Sequence, residues 1–157
     1  MIISAATVLI DQELQKEVWL EIEAGVIRSI NSGTTPEYDH RYEGILIPGF
    51  VDIHCHGGGG KYFGSQSDVE ISQVIATHRA GGTVAGLASL VTEPIVNLLQ
   101  QIERLVPFAQ RGEIAGIHLE GPYLSHARCG AHDPNLLRIP TIAEIQSLLD
   151  AGKGLLK

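Results

Sequence analysis

Two short stretches concentrate side chains that can hold a cation or move a proton. The first is His54-Cys55-His56, directly after an apolar run at residues 44–53. Alternate side chains of an extended backbone face the same way, so His54 and His56 project together and Cys55 points away. Two imidazoles side by side at the end of a strand make a pair of metal ligands. Cys55 reads as a small packed residue and Asp52 as a cap on the strand end. Four glycines follow at 57–60; they can admit backbone to a ligand or simply form a loop, and the Lys-Ser/Thr of a phosphate-binding P-loop is missing. The second stretch is Ile117-His118-Leu119-Glu120-Gly121-Pro122. Glu120 stands at the end of an apolar run, where a carboxylate needs a cation or strong donors beside it. A metal ion would supply that charge. His118 reads as a hydrogen-bonded interior histidine rather than a ligand. Residues 123–140 are polar, with His126, Arg128, Cys129, His132, Asp133, Asn135 and Arg138. A loop of this length past a strand end suits substrate contact, with a solvated connection as the alternative. His78 falls near the last turn of a helix, where the helix dipole favours it, and reads as functionally silent.

The elements that must position these groups are legible from periodicity. Residues 2–10 form a short apolar run, and Val18, Leu20 and Ile22 alternate with Trp19, Glu21 and Glu23, the period-2 pattern of a half-buried strand. Ala24-Gly25 offers a tight turn, so 17–30 is expected to be a hairpin, followed by a loop at 31–40 with Gly33 and Pro36. The near-continuous apolar run 44–53 predicts one strand buried on both faces. Ser67-Asp68-Val69-Glu70 has the form of a capping box and opens a helix to about Ala80, which Gly81-Gly82 stop. A second buried strand is expected at 83–91. A helix with Pro94 in its first turn follows, ending at Arg111-Gly112. A third strand is expected at 114–119, a helix opened by the capping box Thr141-Ile142-Ala143-Glu144 runs to about Asp150, and 154–157 begins a fourth strand. Strands starting near 45, 83 and 114 with helices between them are spaced as parallel strands with crossover connections. Such folds place their chemistry at the C-terminal ends of the strands, where the histidines and Glu120 fall.

Composition removes several classes. With 11 Lys+Arg against 18 Asp+Glu the net charge is −7, and no basic cluster is present, so nucleic acid is not an expected partner. At 44% hydrophobic and 18% charged the chain is too apolar to be disordered. Two cysteines cannot build a disulfide framework, which points to a reducing compartment. No signal peptide and no run of 18 apolar residues is seen, so no membrane association is expected.

The stretch from Pro48 to His56 resembles the first-strand signature of the amidohydrolase superfamily, in which an H-x-H pair binds metal. His118-Leu119-Glu120-Gly121-Pro122, followed by Gly130-Ala131-His132-Asp133-Pro134-Asn135, resembles the N-acetylglucosamine-6-phosphate deacetylases. That resemblance implies an incomplete TIM-like (β/α)8 metal-dependent hydrolase barrel at 48–157. Residues 1–47 would be part of a small β-sandwich built from both chain ends. It implies Glu120 as a metal ligand, His54 and His56 as ligands of a second ion that only some members hold, and Ala131 and His132 as substrate contacts. The cofactor would be one or two divalent ions, zinc by expectation, the substrate an amino-sugar phosphate, and the setting a cytoplasmic homodimer. The family's catalytic Asp, two later histidine ligands and phosphate-binding residues match nothing in these 157 residues. A (β/α)8 barrel needs roughly 250 residues, so three βα units make a partial barrel. Two other readings stay open: an amidohydrolase acting on a cyclic amide, and a truncated fragment without activity.

Overall fold

Ala24 and Gly25 take φ of 50° and 78°, the two positive values of a tight hairpin turn whose twist matches that of the strands it joins. They link β2 (Glu13–Glu23) to β3 (Val26–Ser32). With β1 (Ile2–Ile10) and β4 (His40–Leu46) these form a four-stranded sheet in the order β3-β2-β1-β4. Its neighbours are antiparallel except β4, which runs parallel to β1. The period-2 pattern holds: Val18 and Leu20 are buried, and Val18 packs with Ala5 and Val8 of β1. The structure is a computed structural model that describes residues 1–35 and 37–157; Pro36, expected in the loop 31–40, lies outside the described residues. The chain divides into two units, Met1–Pro48 and Gly49–Lys157.

The run 44–53 is not one strand. Its first part closes β4, and its last part opens β5 (Phe50–Cys55) in the second unit. Pro48 has no N–H to extend a ladder. At Gly49 a Cβ would collide with the side chain of Val84, so only glycine lets the backbone pass there. Nor is the strand buried on both faces. Val51 and Ile53 are 68% and 70% exposed, and Val84 on the next strand is 71% exposed.

The second unit follows the βα rhythm. The short pair β6 (Gly57–Gly58) and β7 (Lys61–Tyr62) leads to α1 (Asp68–Ala80), β8 (Thr83–Leu90), α2 (Ile95–Gln110), β9 (Gly116–Leu119) and α3 (Ile142–Gly152). The sheet order is β5-β8-β9, all parallel. Where a fourth strand is expected, Leu156 makes one parallel bridge to Ile117. Ile71 and Val74 of α1 and Leu98, Ile102 and Leu105 of α2 are fully buried against Ala88, Leu90 and Ile117 of the sheet. Burying each such aliphatic side chain contributes about 1.5–3 kcal/mol, which holds the helices to the strands.

The helix signals fall at the helices but not always in the expected role: Pro94, expected at the first helical position, is the N-cap before α2. Thr141 Oγ1 does accept the Glu144 N–H at 3.2 Å, as its capping box predicts. Ser67 caps nothing with its side chain. Its box partner Glu70 is drawn away by Lys61 Nζ at 2.7 Å and the Ser65 hydroxyl at 2.5 Å, a stronger pairing than one backbone amide offers. No helix among the described residues is long and apolar enough to cross a membrane.

Candidate metal centre

The geometry of the site is set by a bulge. Across the β5–β8 ladder Asp52 pairs with Gly86 and Cys55 with Ala88, so three steps on β5 oppose two on β8. The extra residue reverses the alternation between Asp52 and Cys55. His54, within the bulge, and His56, just past the strand end, converge on one side, while Asp52 and Cys55 both turn toward α1. Asp52 also accepts the His54 N–H at 3.1 Å, consistent with a strand-end cap.

His54 and His56 converge on Glu120, which follows β9. Glu120 Oε2 lies 2.7 Å from His56 Nε2 and 3.5 Å from His54 Nε2. The two imidazoles meet edge to face with centroids 4.8 Å apart. From the other side His132 Nε2 approaches Glu120 Oε1 at 3.4 Å. The sequence pairs the two histidines by parity; the tertiary fold brings them to Glu120 across 64 residues of chain.

The hydrogen bonds behind these rings define their roles. His56 Nδ1 donates to the Ser89 carbonyl at 3.0 Å, which leaves the Nε2 lone pair facing Glu120 in the neutral ring. An acceptor pair so placed calls for either a second proton on His56 or a cation between Nε2 and the carboxylate. A backbone carbonyl behind the ring is also the support that metal-binding histidines commonly have. His132 is arranged the opposite way. Its Nδ1 accepts the Thr92 N–H at 3.4 Å, so Nε2 carries the proton and acts as a donor. The donor set of His54, His56 and Glu120 could therefore hold a divalent metal ion, with the three ligand atoms within 4.8 Å of one another. His132 fits a hydrogen-bond donor to a carboxylate or a ligand.

Burial alone would push the Glu120 carboxyl up. The hydrogen bonds of His132 and His56 and the charges of His132 and His54 outweigh it and hold the group below the usual carboxylate range. His118 is pulled below the ordinary histidine value by burial and by His54, against the opposing pull of Glu120. It is half-buried and touches the Ser89 hydroxyl at 3.1 Å, and its ring packs 5.3 Å from that of His54.

The polar loop closes one side of the centre. A cavity of about 470 Å³ is lined by His56, Glu120, Arg128, Ala131, His132 and Asp133 among others, so Ala131 and His132 lie in the same concavity as Glu120. Two supporting residues escaped the sequence reading. Ser89 is 1% exposed and serves Cys55, His56 and His118 at once. Thr92 holds the Glu120 carbonyl through its hydroxyl at 3.3 Å. A hydroxyl inside the apolar run 83–91 was the available signal for Ser89. His78 is not a solvated helix-end residue alone: its Nε2 lies 3.0 Å from the sulfur of Cys55.

No family model matches the chain. It is 30% identical over 154 residues to the N-acetylgalactosamine-6-phosphate deacetylase of Escherichia coli O157:H7, over 92% of this chain and 40% of that protein. Among solved structures, an N-acetyl-D-glucosamine-6-phosphate deacetylase of Mycobacterium smegmatis, an Asp-to-Ala variant in complex with N-acetyl-D-glucosamine-6-phosphate, superposes with a TM-score of 0.91 at 44% identity. The match covers 99% of this chain and 42% of that one. The corresponding enzyme of Thermotoga maritima shares the fold, with a TM-score of 0.78 at 24% identity over 94% of this chain and 39% of that one. The chain spans about two-fifths of the length of the curated relatives it matches, 40% and 37% of the first two. By sequence and by fold the chain is a relative of the amino-sugar-6-phosphate deacetylases, a family of hydrolases, matched along about two-fifths of their length.

Proposed function

We propose that this chain forms the metal-holding part of an enzyme that hydrolyses the acetamide of N-acetylglucosamine 6-phosphate to glucosamine 6-phosphate and acetate. In this reading residues 48–157 are the first three βα units of a (β/α)8 barrel and 1–47 part of a small β-sandwich. The observation that carries it is the convergence of His54 and His56 on one oxygen of Glu120. The parallel order β5-β8-β9 and the match to the Mycobacterium smegmatis enzyme support it.

His54, His56 and Glu120 would hold one or two divalent ions, zinc foremost. Bound there, the ion would supply Lewis acidity toward the amide carbonyl and an acidified water. Glu120 offers Oε2 to the histidine side and Oε1 to His132, so its two oxygens can serve ion and loop together. His132, with its proton on Nε2, would donate to the sugar and orient it, and Ala131 would line the sugar's pocket. The general base would be an Asp by family resemblance, and none of these 157 residues matches it. The working enzyme would be a cytoplasmic homodimer.

The test is acetate release from N-acetylglucosamine 6-phosphate and from N-acetylgalactosamine 6-phosphate, measured on this chain and on the longest product of its reading frame, with zinc present. No release is expected from the 157-residue chain alone, and release from the longer product that Glu120→Gln abolishes. A longer product that hydrolyses neither sugar, or that keeps its metal and its rate in Glu120→Gln, refutes the reading. The ratio of the two rates decides which sugar is the substrate.

A further inference from the structure

We propose that Asp52, Cys55 and His78 form a second cation site, for a borderline or soft divalent ion such as Zn²⁺ or Cd²⁺, distinct from the centre at Glu120. Three side chains of ligand type meet here from two elements. The bulge in β5 is what turns both Asp52 and Cys55 toward α1, since a regular strand would put them on opposite faces. From α1, His78 places Nε2 at 3.0 Å from Cys55 Sγ and Nδ1 at 4.0 Å from Asp52 Oδ2. One ligand atom from each of the three lies within 4.8 Å of the others. Sulfur, nitrogen and oxygen ligands at such separations suit a tetrahedral ion with bond lengths of about 2.0–2.3 Å.

Space and hydrogen bonding agree with this. A cavity of about 30 Å³ is lined by Asp52, Cys55 and His78 together with Phe63 and Ile75. It has room for an ion and a water as fourth ligand, since one water needs about 10–15 Å³. Both the Cys55 thiol, at 3.2 Å, and His78 Nε2, at 3.0 Å, point at a single acceptor, the Gly57 carbonyl. An ion relieves this competition: Cys55 gives up its thiol proton to solvent as the sulfur–metal bond forms, and His78 binds through Nε2 once the proton on that nitrogen has passed, by exchange with solvent, to Nδ1 on the Asp52 side. The fit is tight on the loop side, where a Cβ on Gly58 would come within 2.9 Å of His78 Nε2, so glycine there keeps the imidazole seated. Charge balance is favourable. Asp52 and a Cys55 thiolate bring two negative charges, against the one positive charge of Arg79, which lines the same cavity and donates to the Glu113 carbonyl at 3.4 Å. Occupied, the site would tie β5 to α1 directly behind the His54–His56 pair.

A sulfur ligand separates this site from the centre at Glu120, whose three ligands are His54, His56 and Glu120, although Cys129 lines the cavity there. Metal-free chain is titrated with Co²⁺ and the thiolate-to-cobalt charge-transfer absorption recorded. The expected result is a band that saturates at one equivalent and disappears in Cys55→Ser. The band should need at least tenfold more Co²⁺ in His78→Ala, and persist in Cys129→Ser and in the His54→Asn/His56→Asn double variant. No sulfur band in the wild type, a band that survives Cys55→Ser, or an unchanged titration in His78→Ala overturns the proposal. A second measurement needs no variant: Cd²⁺ should slow iodoacetamide alkylation of Cys55 at least tenfold, read by peptide mass, and an equal rate with and without Cd²⁺ also overturns it.

Discussion

Replacing Glu120 by glutamine keeps the shape of the side chain and removes its charge, so it isolates the electrostatic contribution of the carboxylate to ion binding. The experiment is best run in a Cys55→Ser background, so that ions bound beside His78 do not contribute. An ion that binds only the folded chain stabilises it by RT ln(1 + [L]/Kd), about 2.7 kcal/mol at one hundred times Kd. For a chain of this size each kcal/mol moves Tm by about 2–4 °C, so zinc at that level should raise Tm by about 5–11 °C. Loss of a partner that merely orients a ligand lowers metal affinity about 10–100-fold, and a direct ligand should cost at least the upper figure. With Kd about 100-fold weaker, the same zinc concentration leaves about 0.4 kcal/mol, a shift of about 1–2 °C. Glu120 retains a third of its side-chain exposure, 35%, so the fold itself should tolerate the amide. Differential scanning fluorimetry with and without zinc, paired with equilibrium dialysis for bound metal, measures both quantities. A zinc-induced shift in Glu120→Gln equal to that of its parent would refute the assignment of Glu120 as a ligand, however low the activity had become.

Ile102→Ala should cost about 2–5 kcal/mol, because Ile102 is fully buried between α2 and the sheet; a urea midpoint within error of wild type would contradict this packing. Gly121→Ala puts a Cβ into the hydroxyl of Thr92 at a residue with φ +90°, so it should destabilise the chain and weaken zinc binding together, read by the same fluorimetry and dialysis. Acid should destabilise the metal-free chain in two stages. His118 has its folded value lowered, so the unfolded chain binds the proton first as pH falls below about 6.5, and stability drops from there toward the folded value. Glu120, lowered from 4.5, contributes stability above that value and loses it as pH falls further toward its folded value. Urea midpoints at about pH 7.5 and about pH 5.5 should therefore converge in His118→Gln, and an unchanged difference would count against burial as the cause.

What the sequence determined by itself is local or nearly so. The hairpin at Ala24-Gly25, the Gly81-Gly82 stop, the Thr141 cap and the alternation of Val18 and Leu20 depend on residues a few positions apart. So does the pairing of His54 with His56, since side chains two apart in a strand share a face whatever the strand packs against. The motif around Glu120 and the one at 130–135 resemble those of the N-acetylglucosamine-6-phosphate deacetylases, a likeness carried by residue types and their separation along the chain. Tertiary structure alone decided the rest. The apolar run 44–53 carries Pro48-Gly49 at its middle, a break that can be read from the sequence, but only ladder pairing shows that its two halves serve two sheets, because hydrophobicity reports that a strand prefers burial, not which partner buries it. Ser67 looked like a cap, but Lys61 and Ser65 compete for its partner Glu70 through contacts that no spacing rule registers. Above all, one extra residue in β5 reverses which side chains face α1. That bulge is visible only in the register against β8, and it sets Asp52 and Cys55 against His78 while leaving His54 and His56 to Glu120.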